Sequence, residues 1–96
     1  SAAMELGPHG IRANVICPGA VEGPRMEGVM EREAAAKGMT RDEVYAGYAS
    51  GTSMRTLVEA QDIAEMALFL CSEGARRVSG QVIAVDGHTE NPDPKL

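Results

Sequence analysis

Two short runs of branched apolar residues constrain the fold of this chain more than anything else in it: Ile11-Arg12-Ala13-Asn14-Val15-Ile16-Cys17 near one end and Gln81-Val82-Ile83-Ala84-Val85 near the other. Turn signals bound each of them, Gly7 to Gly10 and Pro18-Gly19 around the first, Ser79-Gly80 and Asp86-Gly87 around the second. Both are short and rich in branched residues. Both read as strands covered on two faces, which is the habit of parallel sheets. A parallel pair needs a long crossover, and residues 18–80 supply one. The expected unit is βαβ with a right-handed connection.

Within the crossover the apolar period becomes helical. Pro24 suits a first-turn position, and Met26, Val29, Met30 and Ala34 follow at three- and four-residue steps as far as Gly38. Thr40-Arg41-Asp42-Glu43 is a capping box, whose loss costs about 1 kcal/mol. Its helix carries Val44, Tyr45, Tyr48 and Ala49 and ends before Gly51. The strongest helix is Ala60 to Glu73, with Ile63, Met66, Ala67, Leu70 and Cys71 on one face. Asp62 in its first turn and Arg76-Arg77 after its last complement the helix dipole. A two-stranded parallel sheet still has two open edges, and one strong helix covers only one face, so further strands are expected from elsewhere. Ser1 to Leu6 reads as a helix end closed by Gly7-Pro8. Six residues do not make a stable helix, and the chain is expected to be a piece of a longer one. His88 to Leu96, with two prolines and no period, reads as an extended tail.

Charge and cysteine usage narrow the function. The net charge is −5 and the pI about 4.9, with no basic cluster beyond Arg76-Arg77, which argues against a nucleic-acid or anionic-membrane surface. No apolar run reaches the roughly 18 residues of a membrane span. Cys17 and Cys71, lacking a CxxC spacing and set in apolar runs, read as buried, unpaired thiols in a reducing, cytoplasmic setting. His9 and His88 have no partners at metal-ligand spacing, so no metal is expected. Glu31 and Glu33 with Arg32 and Lys37 read as a solvated helix face. Met26, Met30, Met39 and Met54 suit a flexible apolar pocket.

The loop Pro18-Gly19-Ala20-Val21-Glu22-Gly23-Pro24 follows the carboxyl end of the first strand, the edge at which open parallel sheets bind ligands. Gly19 permits a close backbone approach, and Pro18 and Pro24 stiffen the segment. On composition alone a plain strand-to-helix turn is the favoured reading.

The stretch Ser1 to Gly19, SAAMELGPHGIRANVICPG, resembles the segment of short-chain dehydrogenases/reductases that runs from the end of the active-site helix through the sixth strand. Asp62-Ile63-Ala64 with Phe69-Leu70 is similar to their last major helix, and Ser79 to Gly87 to their final strand and turn. The order and spacing agree over nearly the whole chain, most loosely over Glu22 to Leu57, the family's variable substrate-binding region. The resemblance implies an α/β fold: residues 1–87 as the C-terminal part of a Rossmann-type doubly wound parallel sheet, 24–53 as a helical substrate lid, and 88–96 as a tail. It implies NAD or NADP as cofactor and hydride transfer between a carbonyl and an alcohol of a small-molecule substrate. It assigns Pro18, Gly19 and Val21 to the cofactor, with the Val21 backbone bonding the nicotinamide carboxamide. Gly23 departs from the pattern, because many members place there a threonine that reaches the cofactor.

The family's catalytic tyrosine is followed one turn later by a lysine that lowers its pKa. Here the residues four beyond Tyr45 and Tyr48 are Ala49 and Thr52, and the only lysines are Lys37 and Lys95. No G-x-G-x-x-G stretch occurs either. No catalytic residue is therefore assigned, and the 96 residues are expected to be inactive alone. The family associates through its last helix and strand, here Ala60 to Glu73 and Gln81 to Val85, which implies a homo-oligomer. The competing reading is a small non-catalytic module that self-associates through open strand edges.

Overall fold

A computed structural model describes residues 1–90. Its elements are α1 (Ala2–Leu6), β1 (Val15–Pro18), α2 (Pro24–Lys37), α3 (Arg41–Ser50), α4 (Ala60–Leu70) and β2 (Val82–Val85), with single 3₁₀ turns at Gly7–His9 and Glu73–Ala75. β1 and β2 pair in parallel, from Val15 opposite Val82 to Pro18 opposite Val85. The unit is therefore the expected βαβ, with three helices in the crossover.

Both strands are shorter than their apolar runs. Ile11 to Asn14 lie outside the ladder because side chains take over the hydrogen bonding there. Asn14 donates through Nδ2 to the Val78 carbonyl at 2.9 Å and accepts at Oδ1 from the Gln81 amide at 3.1 Å. The Ala13 amide donates to Ser79 Oγ at 3.2 Å, and the Gly80 amide to the Ala13 carbonyl at 2.8 Å. Pro18 closes β1 without harm, since the next bond to β2 comes from the Gly19 amide to the Val85 carbonyl at 3.0 Å.

The helix boundaries follow local chemistry. Pro24 opens α2, and Gly38, left-handed at φ 66°, ends it. The capping box of α3 is present in full: the Glu43 amide donates to Thr40 Oγ1 at 3.1 Å and the Thr40 amide to Glu43 Oε1 at 3.0 Å. α4 stops at Leu70 rather than Glu73. The Ser72 hydroxyl takes the Phe69 carbonyl at 2.6 Å, and Ser72 itself turns to extended backbone at ψ 165°. After α1 the left-handed residue is Gly10, at φ 76°, rather than Gly7, because Pro8 starts a 3₁₀ turn before the chain reverses.

The largest fully buried side chains, Met30 and Val44, lie between α2 and α3 rather than beneath α4. Met30, Ala34 and Val44 form that core, with Met26, Met39, Tyr45 and Tyr48 packed around it. Three of the four methionines assigned to a pocket are thus part of the hairpin's own core, and only Met54 is exposed. α4 lies against one face of the two-stranded sheet. Ile16 and Ile83 are half-buried, while Val15 and Val82 remain 54% and 71% exposed. Cys17 and Cys71 are exposed as well, contrary to the expected burial. A pair of strands with one covering helix leaves the Cys17 face open, and Cys71 falls at the end of α4. Glu33 also departs from the solvated face assigned to it, and is half-buried against Tyr48.

Residues 88–90 are fastened back onto the turn after α3. Thr89 and Thr52 form an antiparallel bridge, the Ser53 amide donates to the His88 carbonyl at 2.9 Å, and the Glu90 amide to the Gly51 carbonyl at 2.8 Å. The rest of the expected tail, 91–96, lies outside the described residues. No described helix is long and apolar enough to cross a membrane.

Candidate functional site

The loop after β1 runs beside the segment that leads into α4. Val21 and Val58 form an isolated parallel bridge: the Val58 amide donates to the Ala20 carbonyl at 3.0 Å and the Glu22 amide to the Val58 carbonyl at 2.8 Å. These two bonds orient both peptide units that flank Val21. Since the Ala20 carbonyl and the Glu22 amide point at Val58, the Val21 amide and carbonyl point the opposite way. No described backbone or side-chain group bonds either one. Val21 thus offers one donor and one acceptor side by side, at the carboxyl edge of the sheet.

Pro18 and Gly19 precede it. Gly19 is required by its neighbour: a β-carbon there would stand 2.7 Å from Asp86 Cβ and 2.9 Å from Asp86 Cα. The close approach read from the sequence is thus made first to the backbone after β2. Pro18, Gly19, Ala20, Tyr48, Leu57 and Asp86 line a cavity of about 330 Å³. On the other side of the loop, Val21, Pro24, Met26 and Val29 border a shallower one of about 480 Å³. The structure therefore brings Pro18, Gly19 and Val21 together along one edge.

The two tyrosines are engaged with carboxylates. Tyr45 donates to Glu22 Oε1 at 2.7 Å, and Tyr48 to Glu33 Oε1 at 3.0 Å. Burial above all, then the bond to Glu33 and its charge, pushes the Tyr48 pKa up. That is the wrong direction for a tyrosine acid/base, and the Lys37 ammonium sits 4.0 Å from the same Glu33 carboxylate. Arg41 grips Glu27 through two bonds of 2.7 Å, which hold the Glu27 carboxyl below its usual range. Gly23 caps α2 without a side-chain bond. His9 is exposed, while His88 meets Ser53 Oγ through Nδ1. Among the described residues no three His, Cys, Asp or Glu side chains are grouped to hold a metal.

Sequence reasoning passed over Glu22 and Asn14. Asn14 carries a recognisable signal, as a polar residue inside an apolar strand run must find partners. Glu22 gives none, because its partner is 23 residues away across a helix.

A parallel β-helix-β unit with a proline-glycine loop at its carboxyl edge defines a Rossmann-type α/β protein. Residues 1–88 match the family model described as "Enoyl-(Acyl carrier protein) reductase", and the chain belongs to the short-chain dehydrogenase/reductase family. It is 39% identical over 85 residues to the 7alpha-hydroxysteroid dehydrogenase of Escherichia coli, covering 88% of this chain and 29% of that one. To the NADPH-dependent reductase BacG of Bacillus subtilis it is 33% identical over 88 residues, covering 88% and 32%. A short-chain dehydrogenase family protein from Francisella tularensis superposes with a TM-score of 0.83 at 28% identity, over 90% of this chain and 36% of that one. The chain spans about a third of the length of the curated relatives it matches.

Proposed function

We propose that this chain supplies the nicotinamide-facing loop, the helical substrate lid and an association surface of an NAD(P)-dependent oxidoreductase that interconverts a carbonyl and an alcohol. The observation that carries the reading is the pair of peptide groups on Val21 that no described residue engages. A nicotinamide carboxamide presents a carbonyl acceptor beside an NH2 donor, the complement of what Val21 offers. Pro18 and Gly19 shape the same edge, where Gly19 packs closely against Asp86. When bound, the nicotinamide supplies or accepts the hydride. The residues of this chain orient it, and the α2–α3 hairpin over 24–53 covers the substrate. Relatives named as a dehydrogenase and as an NADPH-dependent reductase support this reading.

The acid/base chemistry falls to residues of the full-length enzyme beyond these 96, because Tyr45 and Tyr48 are committed to carboxylates. Self-association through α4 and β2 fits the exposure of Leu68, Phe69 and Val82. In the full-length enzyme, a panel of ketones with NADH or NADPH should deplete the absorbance of the reduced cofactor, while residues 1–96 alone deplete none. Failure of the full-length enzyme to bind either nucleotide would overturn the proposal.

A further inference from the structure

We infer that Tyr45 is a positioning residue: by holding the Glu22 carboxylate it fastens the α2–α3 hairpin to the loop that presents the Val21 peptide groups. The inference rests on the reading of that loop given above, and it adds a residue from the variable segment that has no part in hydride transfer.

The geometry is a chain of four side chains. Glu27 of α2 holds the Arg41 guanidinium with two bonds of 2.7 Å. Arg41 lies over the Tyr45 ring, 4.9 Å from its centroid, a separation at which cation and ring attract. The ring also packs against the core of Met30, Ala34 and Val44. The phenol is thereby fixed from two helices, and its hydroxyl donates to Glu22 Oε1 at 2.7 Å. Glu22 is held twice, by its side chain to α3 and by its amide to Val58.

That double hold matters because the Glu22 amide and the Val21 carbonyl belong to one peptide unit. Whatever frees residue 22 lets that plane turn. Gly23 follows immediately, without a side chain to limit the motion. A half-buried Glu22 carboxylate that has lost its donor is drawn toward water, which pulls the peptide off Val58.

The test uses the full-length enzyme with Tyr45→Phe, Glu22→Ala, Glu22→Gln and the Tyr45→Phe/Glu22→Ala double variant. Two readouts are taken: the split of cofactor KM against kcat, and hydrogen exchange at the Glu22 amide. Tyr45→Phe and Glu22→Ala should each raise the cofactor KM by about fivefold, with kcat little changed and the Glu22 amide deprotected. Glu22→Gln keeps an acceptor for the phenol and should behave like the parent. The double variant should be no worse than either single one, because both remove the same bond. Unchanged exchange at Glu22 in Tyr45→Phe, or single effects that multiply in the double, would overturn the inference. An enzyme that binds no nicotinamide overturns the reading of the loop instead, while exchange at Glu22 still decides the tether.

Discussion

At Gly19 a single hydrogen atom separates a fit from a clash. The 2.7 and 2.9 Å distances from a virtual β-carbon to Asp86 involve main chain and the first side-chain atom, neither of which can swing aside. Gly19→Ala should therefore push β1 and β2 apart at their carboxyl ends, and overpacking of this kind costs about 1–3 kcal/mol. Urea unfolding of the full-length enzyme measures it, and an alanine variant as stable as the parent would show that the two backbones are not so close. The sequence made Gly19 conspicuous but not its neighbour, which arrives from 67 positions later in the chain. The same limit misplaced the cysteines. An apolar flank is a local signal, whereas burial depends on what the rest of the molecule sets against that face. Asn14 shows the reverse case, as its bonds to Val78 and Gln81 just before the ladder follow from hydrogen-bonding needs that a polar residue in a strand always carries.

Helix starts and stops were the most legible elements, because capping is local chemistry. Pro24, Gly38 and the Thr40-Glu43 box stand where the sequence places them. The far end of α4 was not legible, since a serine that turns back on the carbonyl of Phe69 looks no different in sequence from one left in the helix. Pairing between helices was also hidden: Glu27 and Arg41 are 14 residues apart, yet they form the bidentate clamp of the hairpin. That clamp has a pH signature. The bond from Arg41, aided by its charge, lowers the Glu27 pKa below 4.5 in the folded hairpin. A carboxyl whose folded pKa is depressed contributes stability above its unfolded pKa and loses it as pH falls through the folded value. Acidification from about pH 5 downward should thus loosen the α2–α3 hairpin, and Glu27→Gln should remove that component. Limited proteolysis of the hairpin against pH, in parent and variant, reads it directly; identical profiles would show that the clamp adds nothing to the hairpin.

Across the whole molecule, the radius of gyration is 17.0 Å, within extents of 56 by 21 by 20 Å, where a compact chain of this length has about 12–13 Å. The accessible surface of 6563 Å² likewise exceeds the roughly 5,300 Å² of a compact protein of this mass. One reason is that the hairpin packs on itself and not on the strands. The other is that β1 and β2 keep one face open. The sequence announced that deficit through strands apolar on both faces, and the fold class followed from it. Among the described residues nothing covers the open face. Everything proposed for function converges on one peptide pair, at Val21, held outward by Val58 and steadied by Tyr45 through Glu22. The most direct test is the ¹⁵N–¹H resonance of the Val21 amide in the full-length enzyme as nicotinamide cofactor is added. A large, saturable shift is expected at Val21, with Ala20 and Glu22 moving less because their bonds to Val58 persist. Cofactor binding that leaves Val21 unmoved would contradict it.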